Sequence, residues 1–262
     1  MSKNLINNKK LAVIGCSGLV GSSIVRCALE KGYEVNGTMR NIEDSTKIKY
    51  LKKLKNFKKL NLFKAEMANE NDFNFCLQDI STLFIACLVP TYKGFDGTLA
   101  KELDDKRGYN EIINPTVNGC INILKSAQKF DVKNVVICSS TSSTNPIPPV
   151  PIKNEIDHWS DEIEQCKSKK YTSATKTIME KAAIKFCNDN NIRLSIILPT
   201  GLYGDAVLPD HMKHNPFVWL KRVLDGGEPR HLKVPNDSAS MIHLRDFCLL
   251  YTSPSPRDGI GS

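Results

Sequence analysis

No stretch of the 262-residue chain approaches the roughly 18 consecutive apolar residues of a membrane span, which excludes a transmembrane helix. The N-terminal segment MSKNLINNKK has no apolar h-region, so it does not read as a secretory signal. Cysteine is present nine times but never as CxxC and never beside a histidine cluster, so neither a zinc site nor a disulfide framework is supported and no metal is expected. Scattered cysteines inside apolar runs behave as small core residues and point to a reducing, cytoplasmic setting. His211 and His214 stand three apart without a further ligand and read as a surface pair. Aromatics are only 7% of the chain, and few of them interleave with its lysines. The formal charge of +8 owes much to one run, Lys47, Lys49, Lys52, Lys53, Lys55, Lys58 and Lys59. Such a run on a helix reads as a solvated face, and no nucleic-acid partner is expected.

What remains, 41% hydrophobic and 24% charged, is the balance of a globular domain. Short apolar runs alternate with helical periodicity. Strands are expected over 11–14, 33–40, 59–65, 82–87, 135–139 and 193–198, and helices over 19–31, 116–130 and 172–188. Strands separated by helices give βαβ units, hence an α/β fold with a doubly wound parallel sheet of Rossmann type. Residues 94–108 read as a loop, as do 145–151 with four prolines in seven residues. The domains expected are a nucleotide-binding domain over 1–200, a partial substrate-binding subdomain over 201–248, and a tail over 249–262. That tail, with Pro254 and Pro256 among Ser and Gly, continues no periodic element and resembles a translated adaptor on a broken reading frame.

Between the first strand and the first helix stands Gly15-Cys16-Ser17-Gly18-Leu19-Val20-Gly21. In that context Gly15 permits the sharp turn, Gly18 lets the backbone approach a pyrophosphate, and Gly21 lets helix and strand pack closely. The backbone around Ser17, Leu19 and Val20 would offer N–H groups at the helix N-terminus, where anions bind. The second strand ends Gly37-Thr38-Met39-Arg40-Asn41, with no acid for the ribose hydroxyls that an NAD binder grips. A cation there suits a 2′-phosphate, so NADP(H) is the expected cofactor and Arg40 its ligand.

At this point the chain resembles the extended short-chain dehydrogenase/reductases, which share the NAD-dependent epimerase/dehydratase fold. Within them it is most similar to the dihydroflavonol reductase and cinnamoyl-CoA reductase group. The stretches that carry the resemblance are GCSGLVG, GTMR, NPTVNGCINILKSA, VVICSS, TKTIMEKAA, ILPTGLYG and MIHLRDF, spanning about residues 10–247. The resemblance implies an NADPH-dependent reductase of a small-molecule carbonyl or acyl thioester, a monomer or homodimer, using a Ser, a Tyr and a Lys. Ser140 matches the serine that polarises the substrate oxygen, with Ser139 or Thr141 in its place if the register differs by one. Lys176 matches the lysine that binds the ribose and lowers the phenol pKa. Pro199 falls in the loop that closes over the nicotinamide, Asn118 on the helix that supports the site, and His243–Asp246 in a structural motif.

The tyrosine departs from the pattern. Four residues before Lys176, on one helical face, stands Thr172; Tyr171 is five before it, about 140° round a regular helix. Three readings follow. Tyr171 reaches the site from just before the helix or through a bulge; Thr172 fills the place poorly; or the site is dead. Tyr171 is the reading adopted, with a non-catalytic NADP(H)-binding protein and a sugar-nucleotide epimerase or dehydratase as alternatives. Relatives of this type continue past the HLRD motif to complete the substrate pocket. Residues 215–233, with Phe217 and Trp219, would be the substrate-side piece present, and poor solubility is expected of the chain as it stands.

Overall fold

The computed structural model describes residues 10–213, 217–226 and 240–252. The strand β1 (Lys10–Ile14) is an unbroken apolar run because both faces of it are covered; Leu11, Ala12, Val13 and Ile14 are all buried. Helix α1 (Leu19–Glu30) follows and is stopped by Gly32, whose φ of +86° is open to glycine at little cost; Tyr33 N–H closes on Ala28 O at 3.0 Å. Then come β2 (Glu34–Met39), α2 (Ser45–Leu51), β3 (Leu60–Lys64) and β4 (Thr82–Ile85). Asp44 caps α2 by accepting from Lys47 N–H at 3.1 Å.

The loop expected over 94–108 is helical from Asp105. A single turn α3 (Asp105–Arg107), capped by Asp104, runs through a π-helical turn (Gly108–Ile113) into α4 (Asn114–Lys129), with Pro115 in the first turn. The chain continues through β5 (Asn134–Cys138), α5 (Glu162–Lys167), α6 (Tyr171–Asp189) and β6 (Arg193–Ile197). The described remainder is β7 (Gly201–Tyr203), α7 (Phe217–Leu224), β8 (Met241–His243) and α8 (Leu244–Thr252). The helix α8 runs four residues beyond the expected end at Cys248; Pro254 stands two residues past it, where a helix cannot easily continue. Residues 253–262 of the expected tail lie outside the described residues.

Six strands form one all-parallel sheet in the order β3-β2-β1-β4-β5-β6, which is the doubly wound Rossmann arrangement; β7 and β8 pair in parallel separately. Alternate residues feed two cores. Ala12, Ile14, Leu83, Ile85, Val135 and Ile137 pack against α4 and α6. Leu11, Val13, Val35 and Phe84 pack against α1 and α8, where Phe247 and Cys248 are buried. Each such side chain contributes up to about 1.5–3 kcal/mol on burial. The Cys248 thiol hydrogen-bonds Cys27 on α1, which pulls the Cys27 thiol below its ordinary range. The cysteines are free thiols, with Cys16, Cys76, Cys120 and Cys187 also in the core. In the HLRD stretch, Arg245 pairs with Asp205 at 2.8 Å and the His243 ring abuts Gly204, a packing role as expected.

The order reverses at β1: one neighbour leads to β2 and β3, the other to β4, β5 and β6. A crevice opens outside the carboxyl ends of strands at such a point, and ligands of open α/β sheets bind there.

Candidate active site

The glycine turn is locked to β2 before any ligand arrives. Gly15 N–H donates to Thr38 Oγ1 at 3.2 Å, Cys16 N–H to Thr38 O at 2.9 Å, and Gly18 N–H to Gly15 O at 3.0 Å. Gly15 has φ +83°, and a Cβ there would lie 2.6 Å from Cys87 Cβ. Gly18 caps α1, so the N–H groups of Leu19 and Val20 stand in the first turn without intrahelical partners of their own. A cleft of about 590 Å³ lies against this turn. Gly15, Ser17, Gly18, Thr38, Arg40 and Cys87 border it, as do two residues not anticipated for this role, Lys47 and His211. Leu19, Val20 and Gly21 open α1 and are not among the residues that border the cleft.

Lys47 corrects part of the reading of the lysine run. Lys49, Lys52, Lys53, Lys55, Lys58 and Lys59 do face water, whereas Lys47 is half-buried and shares the cleft with Arg40. It pairs with the α2 cap Asp44 at 3.3 Å. His211, expected as a surface residue, reaches back 194 positions to place Nε2 3.1 Å from Ser17 O. His214 lies outside the described residues.

Ser140 stands at the carboxyl end of β5 and caps a 3₁₀ turn, Thr141–Ser143. Its Oγ accepts from Ser142 N–H at 3.3 Å, which leaves the hydroxyl hydrogen to donate elsewhere. It borders a second cavity of about 710 Å³ together with Pro199, Thr200, Asn145 and Lys153. Pro199 therefore belongs to the Ser140 side rather than to the nucleotide cleft, and its carbonyl accepts from Thr141 N–H at 3.4 Å.

Lys176 is 8% exposed on α6, and its Nζ donates to the carbonyl of Leu88, which stands between Cys87 and Val89 at the border of the first cleft. Burial pushes its ammonium down from the ordinary lysine range, and the neighbouring Cys138, Glu180, Cys87 and Cys120 pull it back up.

The structure does not bring Tyr171 to Ser140 and Lys176. No bulge redirects it: α6 is regular from Tyr171 onward, so the 140° offset stands. The side chain is 1% exposed in a separate cluster with Leu103, Ile112 and Ile113. Its ring covers Gly108, where an added Cβ would lie 2.3 Å from Cζ, and its hydroxyl donates to Asp105 Oδ1 at 2.8 Å. Burial and that carboxylate both push the phenol pKa up, the opposite of what a proton donor near neutral pH needs. Thr172, half-buried, holds the place four before Lys176. Tyr171→Phe is thus expected to lower the melting temperature by only a few degrees and to leave NADPH affinity unchanged in calorimetry. A collapse of NADPH-dependent turnover in that variant would restore Tyr171 as the acid.

Asn118 is exposed on α4 and borders neither cavity. The side chains of Phe217 and Trp219 lie outside the described residues. Among the described residues no group of three or more His, Cys, Asp or Glu could hold a metal ion, and no helix is long and apolar enough to cross a membrane.

The family model described as the NAD dependent epimerase/dehydratase family matches residues 11–251. A bifunctional dihydroflavonol 4-reductase/flavanone 4-reductase from Malus domestica is 32% identical over 258 residues, which cover 94% of this chain and 69% of that protein. Among solved structures, vestitone reductase from alfalfa (Medicago sativa L.) superposes with a TM-score of 0.66 at 23% identity, covering 93% of this chain and 71% of that one. Yeast methylglyoxal/isovaleraldehyde reductase Gre2 complexed with NADPH superposes with a TM-score of 0.63 at 19% identity, covering 93% and 73%.

Proposed function

Because the chain belongs to the NAD dependent epimerase/dehydratase family, we propose that it is an NADPH-dependent reductase of a small-molecule carbonyl: an aldehyde, a ketone or an acyl-CoA thioester. The family and the reductases it resembles agree with the dihydroflavonol-reductase likeness of its motifs. The observation that carries the reading is the cleft itself, in which the glycine turn, Arg40 and Lys47 border one space.

The residues fit a dinucleotide. The turn from Gly15 to Gly21 has no side chain where a pyrophosphate must approach, and the N–H groups of Leu19 and Val20 with the α1 dipole complement its charge. Arg40 and Lys47 would grip the 2′-phosphate, as paired cations do for a dianion. Lys176, whose Nζ reaches Leu88 O between the cleft residues Cys87 and Val89, would hold the nicotinamide ribose. When bound, the nicotinamide would supply a hydride, one proton with two electrons, to the substrate carbon. Ser140 donates its free hydroxyl hydrogen to the substrate oxygen, and Lys176 steadies the charge that builds there. Thr172, four residues before Lys176, carries a hydroxyl far less acidic than a phenol, so the proton for that oxygen would come from water. Pro199 and Thr200 bound the substrate side.

A second reading, an NADP(H)-binding protein without turnover, is favoured by one observation: the Tyr171 phenol is committed to Asp105. NADPH oxidation with a panel of aldehydes, ketones and acyl-CoA thioesters, run beside calorimetric NADPH binding, separates the two. Tight binding with turnover of one carbonyl class is the expected result. Tight binding with no turnover on any member supports the second reading, and no binding sinks both.

A further inference from the structure

Among the described carboxylate side chains, the most deeply buried is Glu180. It is 2% exposed on α6, one turn beyond Lys176 and on the same face. A buried carboxylate is costly unless hydrogen-bonded and paired. Glu180 is hydrogen-bonded, and the Lys176 charge acts on it from one turn away. Its Oε1 accepts from Ser139 Oγ, and the Ser143 hydroxyl lies close by. Ser139 and Ser143 bracket the 3₁₀ turn that Ser140 caps, and Ser143 Oγ also donates to Ser140 O at 3.0 Å.

We propose that Glu180 is a positioning residue of the active site, tying the Ser140 turn and the stretch of α6 that carries Lys176 into one unit. The proposal rests on the reductase reading for what that unit does. Its geometry does not: one carboxylate spans from the end of β5 to the helix that carries the lysine.

Among the groups that act on Lys176, Glu180 is the one carboxylate. The groups acting on Lys176 are Cys138 at the end of β5, Cys87 after β4, Cys120 on α4 and Glu180 on α6 itself. Burial pushes the thiols of Cys87, to about 12, and Cys120 up, so both remain neutral at working pH. Burial also pushes the Glu180 carboxyl up, while Ser139, Ser143 and Lys176 pull it back down. Each of the two favours the charged form of the other. Removing the carboxylate charge takes away one of the groups that oppose burial, so Lys176 is expected to release its proton at lower pH.

The test is Glu180→Gln, which keeps an oxygen acceptor for the serines and removes only the charge. The Lys176 ¹³Cε resonance, assigned with Lys176→Arg, is titrated in wild type and variant. The expected result is a downward shift of its midpoint in a variant that still melts cooperatively. Where turnover is measurable, the alkaline limb of the kcat profile moves the same way and kcat falls on the order of 100-fold. An unchanged midpoint overturns the proposal. Should Glu180→Gln fail to fold, Ser139→Ala replaces it: loosening the carboxylate is expected to lower the Lys176 midpoint, and no movement overturns the proposal equally. The titration needs no substrate, so a wild-type protein without turnover sinks the reductase reading while the midpoint still decides on Glu180.

Discussion

Gly21→Ala is expected to abolish NADPH binding and to destabilise the fold by about 1–3 kcal/mol or more. The added Cβ would lie 2.1 Å from Gly15 O, 2.8 Å from Gly15 C and 3.1 Å from Cys16 Cα. All three are backbone atoms of the turn, pinned by Thr38 on one side and by Cys87 on the other, so no side chain can swing away to make room. Either α1 lifts off β1, uncovering Ile24, Val25 and Leu29, or the turn opens and its N–H groups leave the pyrophosphate position. Gly18→Ala is the internal control. Its Cβ would meet only Gly15 O, at 3.4 Å, so the protein should fold normally and lose affinity alone. Calorimetric NADPH titration and thermal melts of the two variants give the comparison. A Gly21→Ala protein with wild-type affinity would mean that the dinucleotide sits elsewhere.

The second large effect concerns the choice of dinucleotide. Arg40→Ala combined with Lys47→Ala should weaken NADPH on the order of 100-fold, since charge-assisted hydrogen bonds contribute about 1.5–3 kcal/mol each before solvent screening. NADH, which lacks the 2′-phosphate, should change by no more than about twofold. The NADPH penalty should shrink as salt is raised, because Arg40 is exposed. Equal losses for both dinucleotides would show that the pair acts on the shared pyrophosphate or merely on the fold. The single variants matter too: if Arg40→Ala alone accounts for the whole effect, Lys47 is only a neighbour.

Most of the nucleotide half was legible because its signals are local. The apolar run of β1, three glycines in register and the start of α1 lie within about twenty residues, and each constrains the next. The place of Arg40 beside the cleft was legible for the same reason, since it follows directly on β2. Lys47 was not. Its direction depends on the phase of α2, which the Asp44 cap sets, and composition alone makes it one lysine among seven. His211 was hidden by distance, since nothing near Pro209 announces a contact with Ser17. The five-residue spacing between Tyr171 and Lys176 did signal an irregularity, but its resolution lies in α3 and the π-helical turn. There Gly108 seats the phenol ring and Asp105 takes its hydroxyl, in a stretch that reads as loop because Gly94, Gly97 and Gly108 punctuate it. Glu180 carried no signal of its own, being one acid in a helix rich in charge.

The place of β1 in the sheet has a kinetic consequence. Its partners are β2, about 24 residues on, and β4, about 71 residues on, where Leu11 meets Thr82. Closing the second of these loops is slow and entropically costly compared with the first. Until it closes, Gly15 lacks Cys87 beneath it and the floor of the nucleotide cleft does not exist. A refolding chain is therefore expected to gain affinity for dinucleotide only once β4 has docked. Added NADPH should accordingly slow unfolding without speeding the early phase of refolding, because it can recognise only the molecule in which β4 has already docked.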